Sequence, residues 1–231
     1  MCKDLESEQK LSFRLIDDGS SFINLSDYEE EIPRGTKLAA IKRDLFTCQY
    51  CGFQSLKYQQ VIVKNRDFHN IDSYTAACIF CAQYFQLNFV PLLRSGRLIW
   101  LPEVAPARLN SILKEIYVER ITRSDWSQPA RDALEFLNSR HQEVIARLGS
   151  DDLDILVERL KNGELDGDRL VEEDGIRLMP IDRRIIWEAD LNFNQFPQIL
   201  AFWRSKNGPL RMDIPRKYLQ EFVKEYPNYD S

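Results

Sequence analysis

Residues 11–17, Leu-Ser-Phe-Arg-Leu-Ile-Asp, alternate apolar and polar side chains, a period of two that predicts a strand. The acidic run that follows, 26–35, has no period and is expected to be a loop. A short helix is predicted over 36–46 and a strand over 57–64, with a turn in the polar stretch 65–72. Residues from Ala76 to about Phe89 read as helical, and 97–102 as a short strand ended by Pro102.

Beyond residue 102 the pattern becomes helical. Over 105–122, Leu109, Ile112, Leu113, Ile116, Tyr117 and Ile121 fall on one stripe. Residues 127–148 open with Ser127 as cap and Pro129 in the first turn, carry Ala133, Leu134, Leu137, Val144, Ile145 and Leu148, and stop at Gly149. Another helix is predicted over 151–160, closed by Gly163. Residues 175–180 read as extended, 181–191 and 196–206 as two helices, and 214–226 as a last one. The expected class is α+β: a metal-centred head over 1–102 with a mostly helical body over 103–231 packed on it, or the two as one continuous domain.

The chain has 231 residues, 44% of them hydrophobic, enough for a sizeable core. No run of ~18 apolar residues predicts a membrane span. The start, MCKDLESEQK, lacks the basic and apolar regions of a secretory signal, so a cytoplasmic location is expected and structural disulfides are not. Charge is uneven. Residues 1–33 hold nine acidic and three basic side chains, and residues 34–101 hold nine basic and three acidic. The basic block has two readings: compensation of an anionic metal–thiolate centre, which its apolar surroundings favour, or a nucleic-acid surface.

That block surrounds Cys48, Cys51, Cys78 and Cys81, two Cys-x-x-Cys pairs separated by 26 residues. Two such knuckles can bring four thiolates to one ion at tetrahedral geometry. Gly52 follows the first pair, where a knuckle needs positive φ. The second pair is placed at a helix N-terminus, whose N–H groups and dipole favour thiolate. Knuckle, hairpin and helix in this order make a treble clef. One zinc is the preferred ligand, over a redox dithiol or a disulfide framework. Four protein sulfurs close the coordination sphere, so the zinc is expected to be structural. Cys2 is unpaired and has no activating context.

The segments RDLFTCQYCGF, YQQVIV and IDSYTAACIFC resemble the zinc-stabilised branch of HNH endonucleases. That resemblance implies an Asp-His on the first hairpin strand, an Asn before the second pair and a His or Asn after it. Here those places hold Gln59 and Gln60, Ser73, and Ala82. A glutamine cannot accept a proton near neutral pH, so the chain is expected to have no catalytic residues. His69, beside Asp67 and Asn70, is a substitute base in the wrong place, and His141 reads as a helix-surface residue.

A second resemblance reaches further. RDLFTCQYCGFQSLKYQ, CIFCAQ, LIWLPEVAPARLNSILKEIYV and IRLMP together resemble the DotN (IcmJ) family of the Dot/Icm type IVB secretion system, well over 37–122 and loosely over 123–190. The resemblance implies a non-catalytic adaptor of the coupling complex. Its partners would be the C-terminal extension of a DotL-like coupling ATPase and other coupling-complex subunits, in a platform that recruits effectors. It implies a place at the inner face of the inner membrane, held there through the partner without membrane insertion. A nucleic-acid-binding protein or residual HNH-type nuclease is the alternative. Phe80, Tyr84, Phe85 and Phe89 are expected to be mostly core, with one or two left as partner anchors beside Arg94 and Arg97.

Overall fold

The computed structural model describes residues 10–16, 25–64, 67–188 and 191–226. It is an α+β fold of small hairpins and short helices around one long central helix.

The first elements are α1 (Leu25–Glu31) and α2 (Arg34–Arg43). Where a loop was expected over 26–35 there is a helical turn, because Leu25, Tyr28 and Ile32 share one face and are all buried. Residues 11–16 join no sheet. They lie extended against the loop at 84–88, with Arg14 N donating to Tyr84 O (2.7 Å) and Leu87 N to Arg14 O (3.1 Å).

Strands β1 (Gln59–Val63) and β2 (Tyr74–Cys78) form an antiparallel hairpin, with Gln59 opposite Cys78 and Val63 opposite Tyr74. Helix α3 (Ile79–Ala82) follows β2 directly. The helix expected from Ala76 is therefore a strand to Cys78 and a single turn after it. Every residue of β2 is buried, and such a run carries no period that separates strand from helix. Both faces of the hairpin are covered, one contributing Ile62 and Ala77 to the main core, the other packing Val61, Tyr74 and Ala76 against α1 and α2.

A short α4 (Val90–Leu93) leads into β3 (Gly96–Trp100), which pairs antiparallel with the distant β4 (Ile176–Pro180), Leu98 opposite Leu178. Between them run α5 (Pro106–Arg120), α6 (Ser127–Ser139), α7 (Gln142–Leu148), α8 (Leu153–Lys161) and α9 (Gly167–Glu172). The single helix expected over 127–148 breaks at Arg140, which packs over the rings of Trp100 and Phe136, pairs with Glu103, and accepts Trp100 N at 3.1 Å. The helix expected over 181–191 is a hairpin, β5 (Ile185–Glu188) with β6 (Leu191–Asn194). Asn194 Oδ1 ties it by accepting from Arg184 N at 2.9 Å. Strand β6 hides little surface, so no core period marks it. Two further helices, α10 (Phe196–Arg204) and α11 (Lys217–Glu225), close the chain.

Helix α5 is the centre. Leu109, Ile112, Leu113, Ile116 and Tyr117 are buried as their stripe requires, whereas Ile121, just past the last turn, is 45% exposed. The polar positions between them, Asn110, Lys114, Glu115 and Glu119, are also buried. A helix covered on all sides must find partners for its polar groups. Those of α5 go in two directions, towards the cysteines and towards α11.

Candidate metal centre

The first knuckle is positioned by the end of α2. Arg43 donates to the carbonyls of Ile71 and Tyr74, and Asp44 Oδ2 accepts Ala76 N at 2.8 Å, so the Arg-Asp pair ties the helix to the hairpin. Gln49 N then donates to Ala76 O at 2.9 Å. Within the knuckle, Cys48 N donates to Phe53 O (3.0 Å) and Gly52 N to Cys48 O (2.9 Å). Gly52 has φ +70°, the left-handed conformation expected of it.

The second pair spans a strand end and a helix start. Cys78 closes β2 and is the N-cap of α3, its Sγ accepting Cys81 N at 3.5 Å. Cys51 Sγ lies 3.7 Å from Cys78 Sγ. One sulfur from each of the four cysteines falls within 4.8 Å of all the others. The residues singled out by spacing are thus brought together, and the donor set suits a soft ion that accepts four tetrahedral sulfurs.

Helix α5 completes the site with two residues that no motif announces. Asn110 Nδ2 donates to Cys81 Sγ at 3.3 Å. One turn on, Lys114 Nζ donates to Cys51 Sγ at 3.5 Å and to Asn110 O at 3.1 Å, with its ammonium 4.9 Å from the Phe53 ring centre and 5.2 Å from that of Phe80. Lys114 is 1% exposed. Burial opposes its charge, but the four sulfurs more than offset that and hold its pKa above the ordinary lysine value. Burial also pushes the Cys48 and Cys81 thiols well up. At Cys78 burial has the same sense, yet the surrounding thiols and Lys114 more than reverse it, and the thiol titrates well below its usual range. A buried cation beside clustered sulfurs is what an anionic metal–thiolate centre requires.

The positions that would carry HNH chemistry are engaged otherwise. The Gln59 amide donates to Phe46 O (2.8 Å) and Phe53 O (2.9 Å), bracing the first knuckle from β1. Gln60 Nε2 donates to Glu29 Oε1 at 3.0 Å, so α1 lies over that strand position. Ser73 ends a one-turn 3-10 segment, and Ala82 is fully buried in α3. His69 is exposed in the turn, where its N and that of Asn70 donate to Asp67 Oδ1. His141 sits at the α6–α7 junction with Nδ1 against Asn138 O at 2.7 Å. Of the four aromatics, Phe80, Tyr84 and Phe89 are buried, and only Phe85 is half-exposed, its ring tilted against that of Tyr50 with centres 4.7 Å apart. Cys2 lies outside the described residues.

Sequence reasoning missed Asn110 and Lys114. Nothing in LNSILKEIY separates a lysine that faces thiolates from one that faces water, and only the burial of α5 on every side does so.

Fold and site together define the class: an α+β protein built on a tetracysteine treble clef, its four sulfurs positioned to hold a metal ion and backed by a buried lysine. No protein-family model matches the chain. It is 30% identical over 149 residues to the type 4 apparatus protein DotN of Legionella pneumophila subsp. pneumophila, a stretch covering 60% of this chain and 69% of that protein. The chain belongs to the DotN family. Among the described residues no helix is long and apolar enough to cross a membrane.

Proposed function

We propose that this protein is a non-catalytic adaptor subunit of a type IV secretion apparatus, built on one structural zinc. The observation that carries the reading is the closure of the metal centre. Four cysteine sulfurs supply a full tetrahedral set, and the adjoining volume is taken by Asn110 and Lys114. Such a site holds a fold and leaves no position for water or substrate. The residues at the HNH catalytic places serve the scaffold: Gln59 braces the knuckle and Gln60 meets Glu29. Kinship to a type 4 apparatus protein supplies the setting.

In this reading the zinc-built head and the helical body act through contacts. The partner is the C-terminal extension of the coupling ATPase, and the assembled complex recruits effectors at the inner face of the inner membrane. Calorimetry of the zinc-loaded chain against that extension, from its own system, tests it. Binding that weakens little between low and high salt is expected, because apolar contacts dominate such interfaces. Failure of every fragment of the extension to bind would overturn the adaptor reading. Affinity for DNA that falls steeply with salt would instead favour the nucleic-acid alternative, which the basic block over 34–101 keeps in play.

A further inference from the structure

A cavity of about 410 Å³ opens beside the metal centre, between the start of α5, the end of α9 and residues 10–11. Its size falls within the ~300–1,000 Å³ of ligand sites. Tyr50, one of the two residues between the cysteines of the first knuckle, forms part of its wall. Leu11, Pro102, Pro106 and Val171 supply apolar surface.

Arg177 lines the same cavity and is 5% exposed. Its guanidinium is fixed by backbone carbonyls alone: Nε donates to Val104 O, Nη1 to Val171 O and Ile176 O, and Nη2 to Pro102 O. A guanidinium has five N–H groups. Four are used, and the second proton of Nη2 has no acceptor among the described residues. No carboxylate among those residues lies within ion-pair distance of Arg177, whereas the comparably buried Arg216 holds Glu119 at 2.7 Å. Burial lowers the Arg177 pKa from its ordinary value, and the nearby Glu103 carboxylate, itself paired with Arg140, only partly offsets it.

Two further features point the same way. Helix α5 starts at this cavity with no side-chain cap, and its first residue is Pro106, so the early N–H groups of Ala107 and Arg108 have no acceptor within the helix. At the rim, Glu172 is neutralised by Lys10 at 2.8 Å. The buried charge of Arg177 therefore has no direct ion-pair partner among the described residues, only the more distant Glu103.

We infer that this cavity docks an acidic–apolar peptide segment of a partner protein, its glutamate or aspartate carboxylate meeting Arg177 and the start of α5 and its flanking aliphatic residue meeting Leu11, Pro106 and Val171. Arg177 is already oriented by its carbonyls, so binding orders few side chains. The inference rests on the reading of the chain as a docking subunit and adds the surface and the chemistry of what docks.

The test is amide NMR of the zinc-loaded full chain titrated with acetyl-Leu-Glu-Leu-amide, its Gln counterpart, and inorganic phosphate. The Glu peptide is expected to shift the Ala107 and Arg108 amides and the Arg177 Nε–H, at an affinity at least tenfold that of the Gln peptide, on the order of one lost charge-assisted bond. Ala107→Phe fills the cavity without touching Arg177. It should abolish these shifts while leaving zinc content unchanged, which shows that the fold is intact. Equal binding of the Gln peptide, phosphate that perturbs the same amides as strongly, or Glu-peptide shifts that survive Ala107→Phe would each overturn the assignment. None of these probes involves the ATPase, so the adaptor reading stands or falls separately.

Discussion

Lys114 is the residue on which the electrostatics of the metal centre turn. It is buried, its ammonium lies 3.5 Å from Cys51 Sγ, and nothing else of positive charge is so placed in the described site. Lys114→Met removes the charge while keeping the apolar stem against Phe53 and Phe80. We expect metal affinity to fall by ~10–100-fold, the usual cost of losing a partner of a metal ligand. Competition with a chromophoric chelator measures it, and an unchanged affinity would mean that Lys114 only fills space. The clustering of the cysteines was legible because two Cys-x-x-Cys knuckles at this spacing can bring four sulfurs to one point. Lys114 and Asn110 were not, because their roles come from the burial of α5, which local sequence does not encode. Gln59 was legible only as the absence of a catalytic pair. Its bonds to Phe46 O and Phe53 O show what replaced that pair.

At the scale of elements, the second polar face of α5 meets α11 and the loop before it. Glu119 pairs with Arg216, and Glu115 Oε2 accepts Leu219 N at 2.8 Å. Burial pushes the Glu115 carboxyl up to about 7. A raised carboxyl binds its proton more tightly when folded than when unfolded. Its stabilising contribution is complete below about pH 4.5 and is lost as pH rises through about 7, a change on the order of 3 kcal/mol. Glu115→Gln keeps an acceptor for Leu219 N and carries no charge. The difference in unfolding free energy between this variant and the parent should grow in favour of the variant from pH 5 to pH 8. Urea melts at four pH values measure it, and a flat difference would show that Glu115 titrates normally. Elements read correctly from sequence include the long stripe of α5 and, over fewer residues, β1, β3, β4, α8, α10 and α11. The misread ones were decided by distant partners. Trp100 and Glu103 break the helix at Arg140, and Asn194 fastens a hairpin over a stretch read as helix.

For the whole molecule, head and body share one hydrophobic core, which runs from Leu11 through Cys48, Cys81 and Leu113 to Phe222. Asn110 and Lys114 extend that continuity to the cysteine cluster, since the helix that centres the body also touches the sulfurs. Metal binding is therefore expected to organise more than the knuckles. Structural zinc contributes ~10–16 kcal/mol in small zinc peptides, against a net domain stability of ~5–15 kcal/mol. Cys78→Ser should leave a chain without bound zinc and without cooperative unfolding. Cys2→Ser should retain the parent's zinc and melting behaviour, and a parallel loss in both variants would remove the distinction drawn between these cysteines. The most direct measurement is a zinc titration of the reduced, metal-free full chain, followed by near-ultraviolet circular dichroism. The aromatic signal, to which the Trp203 and Phe80 rings of the shared core contribute, is expected to appear in proportion to zinc and to saturate at one equivalent per chain. An aromatic signal already complete without metal, or no saturation at one equivalent, would contradict that expectation.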